Sequence, residues 1–80
     1  MKNERIVVRI PRNATSELLV VTGNYWNIDV LDIRWYDNGK PTKKGVRMNI
    51  DEAESLNKAL RRALNDNINK KTKERIEEET

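Results

Sequence analysis

The 80-residue sequence predicts an α+β domain, four antiparallel strands followed by one C-terminal helix. Three observations predict it. Apolar, β-branched runs recur through the first half of the chain, separated by turn-forming residues. One of those runs alternates with period two and ends in a two-residue hairpin signal. Near residue 50 the apolar period changes to steps of three and four.

The elements follow in order. Residues 5–10 are β-branched and read as the first strand, with Pro11 ending it. Residues 11–16 supply Pro, Asn, Thr and Ser for a loop. Residues 17–22 form the second strand, closed by Gly23 and Asn24, which puts Tyr25 and Trp26 in a turn with at least one of them exposed. Residues 28–36 form a longer third strand. Its alternation places Leu31, Ile33 and Trp35 on one face and Asp32, Arg34 and Tyr36 on the other. Asp37-Asn38-Gly39-Lys40 is a hairpin turn, because Asn-Gly accepts the positive φ of type I′. Residues 44–48 form the fourth strand, with Val46 and Met48 alternating with Gly45, Arg47 and Asn49.

Ala53, Leu56, Leu60, Ala63, Leu64 and Ile68 then mark the stripe of an amphipathic helix. Asn49 caps it, Glu52 completes a capping box, and Asp51 and Glu52 suit the positive end of the helix dipole. Residues 69–80 are charged or polar apart from Ile76 and read as a fraying end or a solvated extension. The organisation is therefore one domain over residues 1–68 with a polar extension over 69–80. Such a helix covers one side of the sheet and leaves the side of Arg34, Tyr36 and Arg47 for a ligand.

Charge and composition bound the function. The formal net charge is +3, and residues 1–50 hold nine cations against five acids, so the sheet is basic and the helix balanced. A basic face is the electrostatic footprint of nucleic-acid binding, although lysine and arginine also solubilise small domains. There is no cysteine, so neither a disulfide nor a thiolate metal site is available, and a partner chain is the remaining common support for a core this small. There is no histidine to serve as a general base near neutral pH. Asp29 and Asp32, three apart in a strand, point to opposite faces and make a poor carboxylate dyad. The segment from Gly39 to Gly45 lacks the Lys-Ser/Thr that follows the second glycine of a phosphate loop. The expectation is a protein without catalytic activity, cofactor or metal. No apolar run has the length of a membrane span and the first residues lack a signal-peptide pattern, so an intracellular location is expected. The sequon Asn13-Ala14-Thr15 is discounted on the same ground.

The chemistry-bearing stretch runs from Asp32 to Met48. It places two aromatics and five cations on one hairpin. Aromatic faces stack on any base and cations follow a phosphate backbone, which points to single-stranded nucleic acid. The candidate contacts are Tyr25, Trp26, Arg34, Trp35, Tyr36, Lys40, Lys43, Lys44 and Arg47. Trp35 has two readings: it shares a face with Leu31 and Ile33, which is core packing, and a bulge near the turn would re-aim it to a ligand. Leu56, Leu60, Leu64 and Ile68 are the candidate dimer contacts.

Asp32-Ile33-Arg34-Trp35-Tyr36 followed by Lys40-Pro41-Thr42-Lys43-Lys44-Gly45-Val46-Arg47-Met48-Asn49 and an acidic helix start resembles the single-strand-binding domain of the transcriptional coactivator positive cofactor four family. The likeness covers residues 17–68. It implies a curved four-stranded antiparallel sheet followed by a helix, and a homodimer formed through the helix and adjoining sheet. It also implies binding of single-stranded DNA along the sheet, often as two antiparallel strands or an unpaired bubble. The family's contact positions match Tyr25, Arg34, Lys40 and Lys44. The chain departs from the pattern in a shorter hairpin between Tyr36 and Lys40. It also carries Asp37 where some members have tryptophan, with a tryptophan at Trp35 instead. The Ser-rich regulatory arm is absent, so coactivator activity does not follow, and the compact chain looks more like bacterial or phage forms.

The expected function is sequence-tolerant single-stranded DNA binding in transcription regulation, replication or repair, without membrane or small-molecule partners. Two alternatives stand beside it. One is single-stranded RNA binding, since nothing in the sequence reads the ribose hydroxyl. The other is a protein-interaction module that docks through the helix. The acidic run of residues 74–79 raises a further alternative, competition with DNA for the basic face, against the plainer reading of a solvated tail.

Overall fold

The computed structural model describes residues 1–79, with side chains described as far as Ile68. Four ten-residue strands, β1 (Lys2–Pro11), β2 (Ser16–Tyr25), β3 (Ile28–Asp37) and β4 (Lys40–Asn49), are followed by α1 (Ile50–Glu79). The strands form one open antiparallel meander in the order β1-β2-β3-β4, so β1 and β4 are both edges. This is the α+β arrangement expected.

Each strand runs further than its apolar run. β2 continues through Gly23 and Asn24 to Tyr25, and the turn is Trp26-Asn27, not the Gly-Asn pair. β4 begins at Lys40 because Asn38-Gly39 closes the hairpin with only two residues, and Asp37 pairs directly with Lys40. Pro41 fits there because β4 is an edge strand and the missing N–H costs no internal ladder bond. Both tight turns are left-handed, with φ of 54° and 62° at Trp26 and Asn27 and of 51° and 78° at Asn38 and Gly39. That conformation matches the twist of a hairpin but costs a residue with a Cβ roughly 1–2 kcal/mol. The capping box at the start of α1 forms as expected. The Asn49 amide N–H donates to Glu52 Oε1 at 2.9 Å, and the Glu52 N–H donates to Asn49 Oδ1 at 2.8 Å.

The register sorts side chains onto two faces, since directly paired residues project the same way. One face carries Leu19, Val21 and Tyr25 of β2, Val30, Asp32, Arg34 and Tyr36 of β3, and Gly45 and Arg47 of β4. The other carries Leu18 and Val20, Leu31, Ile33 and Trp35, and Val46 and Met48, joined by Val8 and Ile10 of β1. The third-strand alternation anticipated from the sequence is therefore the observed one, with Asp29 and Asp32 on opposite faces. The buried apolar residues, Leu19, Val21, Val30 and Met48, all lie on the three strands β2, β3 and β4.

The helix does not cover the sheet. Among the described residues α1 touches β3 and β4 alone. Ala53 and Leu56 are half-buried, and the side chains from Asn57 to Ile68 are exposed. The reason is geometric: α1 starts at the end of an edge strand and 30 residues at about 1.5 Å each carry it beyond the sheet, giving an extent of 56 Å. The side chains of the expected polar extension, residues 69–80, lie outside the described ones. Among the described residues no helix is long and apolar enough to cross a membrane.

Candidate nucleic-acid interface

The site is built around an acid the sequence reading had set aside. Asp32 is 5% exposed on the face that also bears the arginines. Arg34 grips it with both oxygens, Nε to Oδ2 and Nη2 to Oδ1, each at 3.1 Å. Arg47, directly opposite on β4, brings its Nε to 3.6 Å from Asp32 Oδ1. The third Arg34 donor, Nη1, reaches the Thr42 carbonyl oxygen at 2.8 Å. Hydrogen bonding to Asp32 is the main cause that raises the Arg34 pKa above its ordinary value. One carboxylate thus holds two guanidiniums, and the trio carries a net charge of +1 on a strand surface.

Two backbone features make this possible. Gly45 sits opposite Arg34, and a Cβ there would come within 2.8 Å of the Arg34 Cβ and 2.7 Å of the Ile33 carbonyl oxygen. The glycine lets the arginine lie against the edge strand. Between Arg34 and Tyr36 the register shifts, because Gly45 pairs with Arg34 and Pro41 pairs with Tyr36. Thr42, Lys43 and Lys44 together face Trp35 alone, which is a β-bulge. Thr42 pins it: its hydroxyl donates to the Trp35 carbonyl oxygen at 2.8 Å and accepts the Lys44 N–H at 3.2 Å. The bulge leaves Lys43 and Lys44 exposed beside the Asn-Gly turn, next to exposed Lys40.

The aromatics divide between the two faces. Tyr36 and Tyr25 are on the arginine face, at opposite ends of it. The Arg47 guanidinium lies 5.2 Å from the centre of the Tyr25 ring, and Trp26 meets Tyr25 edge-on with centroids 6.1 Å apart. Tyr25 and Trp26 are both exposed. Trp35 is on the apolar face, half-buried, with the Arg12 guanidinium stacked 3.8 Å from its ring centre. The bulge therefore projects lysines and does not turn Trp35 toward the arginines.

The structure brings together Tyr25, Arg34, Tyr36 and Arg47 on one surface. A cleft of about 140 Å³ on that surface is lined by Arg34, Tyr36, Pro41 and Arg47, with Met1 and Glu4 closing it from β1 and the strand's leading end. By register Lys40 belongs to the Asp37 side, opposite Tyr36. The reading of the sequence missed Asp32, Thr42, Arg9 and Arg12. Arg9 lies on the arginine face and is held at 2.8 Å by Glu17. The alternation that placed Arg34 also placed Asp32 beside it, so that signal was present; the pairings of Arg9 and Arg12 depend on cross-strand register and had none.

No family model, curated protein or solved structure matches this chain.

Proposed function

We propose that this protein is a sequence-tolerant single-stranded DNA-binding protein that works as a homodimer, of the positive cofactor four type, in transcription regulation, replication or repair inside the cell. The single observation that carries the reading is the shared face of Tyr25, Arg34, Tyr36 and Arg47, with Lys43 and Lys44 exposed on the bulge beside it and Lys40 exposed at the turn on the opposite side. A ring stands at each end of the face and the two arginines lie between them, along a strip about as long as β3, which at about 3.3 Å per residue spans roughly 30 Å. Arg34 is held by Asp32 and Thr42 and serves as a fixed, oriented donor. Arg47 is exposed and less tightly held, and the lysines are mobile point charges.

The homodimer is supported by apolar surface left open. Val8, Ile10 and Val46 on the apolar face are all exposed, as are Leu60 at 50% and Leu64 at 59% on the helix. A second copy that laid its helix stripe against this surface would remove it from water.

The test is titration of fluorescently labelled oligo-dT and of a duplex of equal length at two salt concentrations. The expected result is preference for the single strand and an affinity that falls by about 0.7 log units per phosphate contact per log unit of salt. Equal affinity for duplex, or no binding at low salt, overturns the reading. An equivalent oligo-rU in competition decides between DNA and RNA.

A further inference from the structure

The two hairpin tips have the same backbone and different chemistry. At one end of β3 the left-handed pair is Asn38-Gly39, the residues such a turn prefers. At the other end it is Trp26-Asn27. A tryptophan at φ 54° is a backbone outlier for so bulky a residue, and it is not compensated by burial, because Trp26 is 82% exposed. An Asn-Gly pair would close this hairpin at lower cost. The strained residue also borders a cavity of about 660 Å³, lined by Lys2, Tyr25, Trp26 and the amides of Asn3, Asn24 and Asn27. That volume is in the range of small-ligand sites, about 300–1,000 Å³. Asn3, itself left-handed at φ 55°, donates to Asn24 Oδ1 at 2.8 Å, and Asn24 donates in turn to Asp29, so the polar wall is ordered by its own bonds. Asn27 makes no side-chain hydrogen bond among the described residues. Tyr25 links the cavity to the arginine face through Arg47.

We propose that this tip holds one nucleobase splayed out of the bound strand: the Trp26 indole stacks on it, the Asn27 amide bonds its edge, and Lys2 meets the adjoining phosphate. The assignment rests on the reading of the sheet face as a single-strand interface. The site is an open, ring-and-amide pocket at the end of a cationic strip, which suits a planar heterocycle with hydrogen-bonding edges and not an aliphatic chain.

The test replaces the tip by its counterpart, Trp26→Asn with Asn27→Gly. The variant is expected to melt higher, because the turn is relieved, and to bind oligo-dA at least about fivefold more weakly, the lower bound for loss of one stacked base. Trp26→Phe keeps a ring and is expected to retain most of the affinity. In the wild type, deoxyadenosine monophosphate is expected to shift the Trp26 indole N–H resonance and ribose 5-phosphate to leave it in place. Unchanged oligo-dA affinity in the double variant, while Arg47→Ala still weakens binding, overturns the base site and leaves the sheet-face reading standing. Equal shifts with both small molecules overturn it as well. Absence of any single-strand binding by the wild type removes both.

Discussion

The two faces of this sheet have opposite designs. The arginine face is charged yet holds three of the four buried apolar residues, Leu19, Val21 and Val30, at its base, with long arginine and tyrosine side chains lying over them. The apolar face has the greasier composition yet only Met48 on it is buried, and it leaves Val8, Ile10 and Val46 in the open. The polar face is satisfied within one chain at its centre, where both arginines pair with Asp32, and leaves Ile6 and Ile28 open only at its margins. An apolar face that is not covered is unfinished, and the exposed stripe of α1 is unfinished in the same way. The comparison teaches that charge on a surface can mark the side whose groups one chain satisfies by itself, while hydrophobicity can mark the side that one chain leaves uncovered.

The largest expected effect tests the unfinished side. Leu60→Glu with Leu64→Glu should convert a dimer to a monomer in sedimentation equilibrium, weakening association at least about a thousandfold, since each buried leucine contributes about 1.5–3 kcal/mol. A wild-type chain that sediments as a monomer would break the comparison at once. Next comes the base of the finished side. Leu19→Ala, at a position 2% exposed, should cost about 3 kcal/mol in urea unfolding. Val46→Ala at an exposed position should cost under about 1 kcal/mol in a monomeric background. Comparable losses at the two positions would mean that the faces do not differ as described.

Asp32→Asn sharpens the electrostatic half. It leaves two arginines without their shared carboxylate and should lower stability by about 2 kcal/mol, less than for a fully buried pair because both arginines reach water. Affinity for single strands should rise and the salt dependence steepen, because the trio's net charge goes from +1 to +2. Weaker binding in a folded Asp32→Asn protein would show that Asp32 orients the arginines more than it neutralises them. The smallest effect belongs to Arg47→Ala. Its fold stability should stay within about 0.5 kcal/mol of wild type, while the salt slope of binding drops by about 0.7.

Much of this was legible residue by residue. The alternation of Leu31, Ile33 and Trp35 against Asp32, Arg34 and Tyr36 gave both faces of β3. Asn38-Gly39 gave the turn, and Asn49 with Glu52 gave the helix start, down to both hydrogen bonds. The illegible parts have a common cause. Trp26-Asn27 carries no glycine, so the expected turn, which did include Trp26, was opened too early at Gly23-Asn24, where β2 in fact runs straight through to Tyr25. Gly23 is there for a close approach, since a Cβ would come within 2.6 Å of the Met1 side chain, a contact 22 residues away in sequence. The β4 bulge, which sets Lys43 and Lys44 beside the turn, has no local signature either.

By itself the sequence determined the period of each segment, the Asn-Gly turn and the helix cap, because these depend on interactions spanning a few residues. Only the tertiary structure decided that Asp32 is shared by Arg34 and Arg47, that Arg12 covers Trp35, that an exposed tryptophan closes a hairpin, and that α1 runs off the sheet. Those outcomes follow from cross-strand register and from the direction in which the last strand hands the chain to the helix, and both are set by pairing between residues far apart in the sequence.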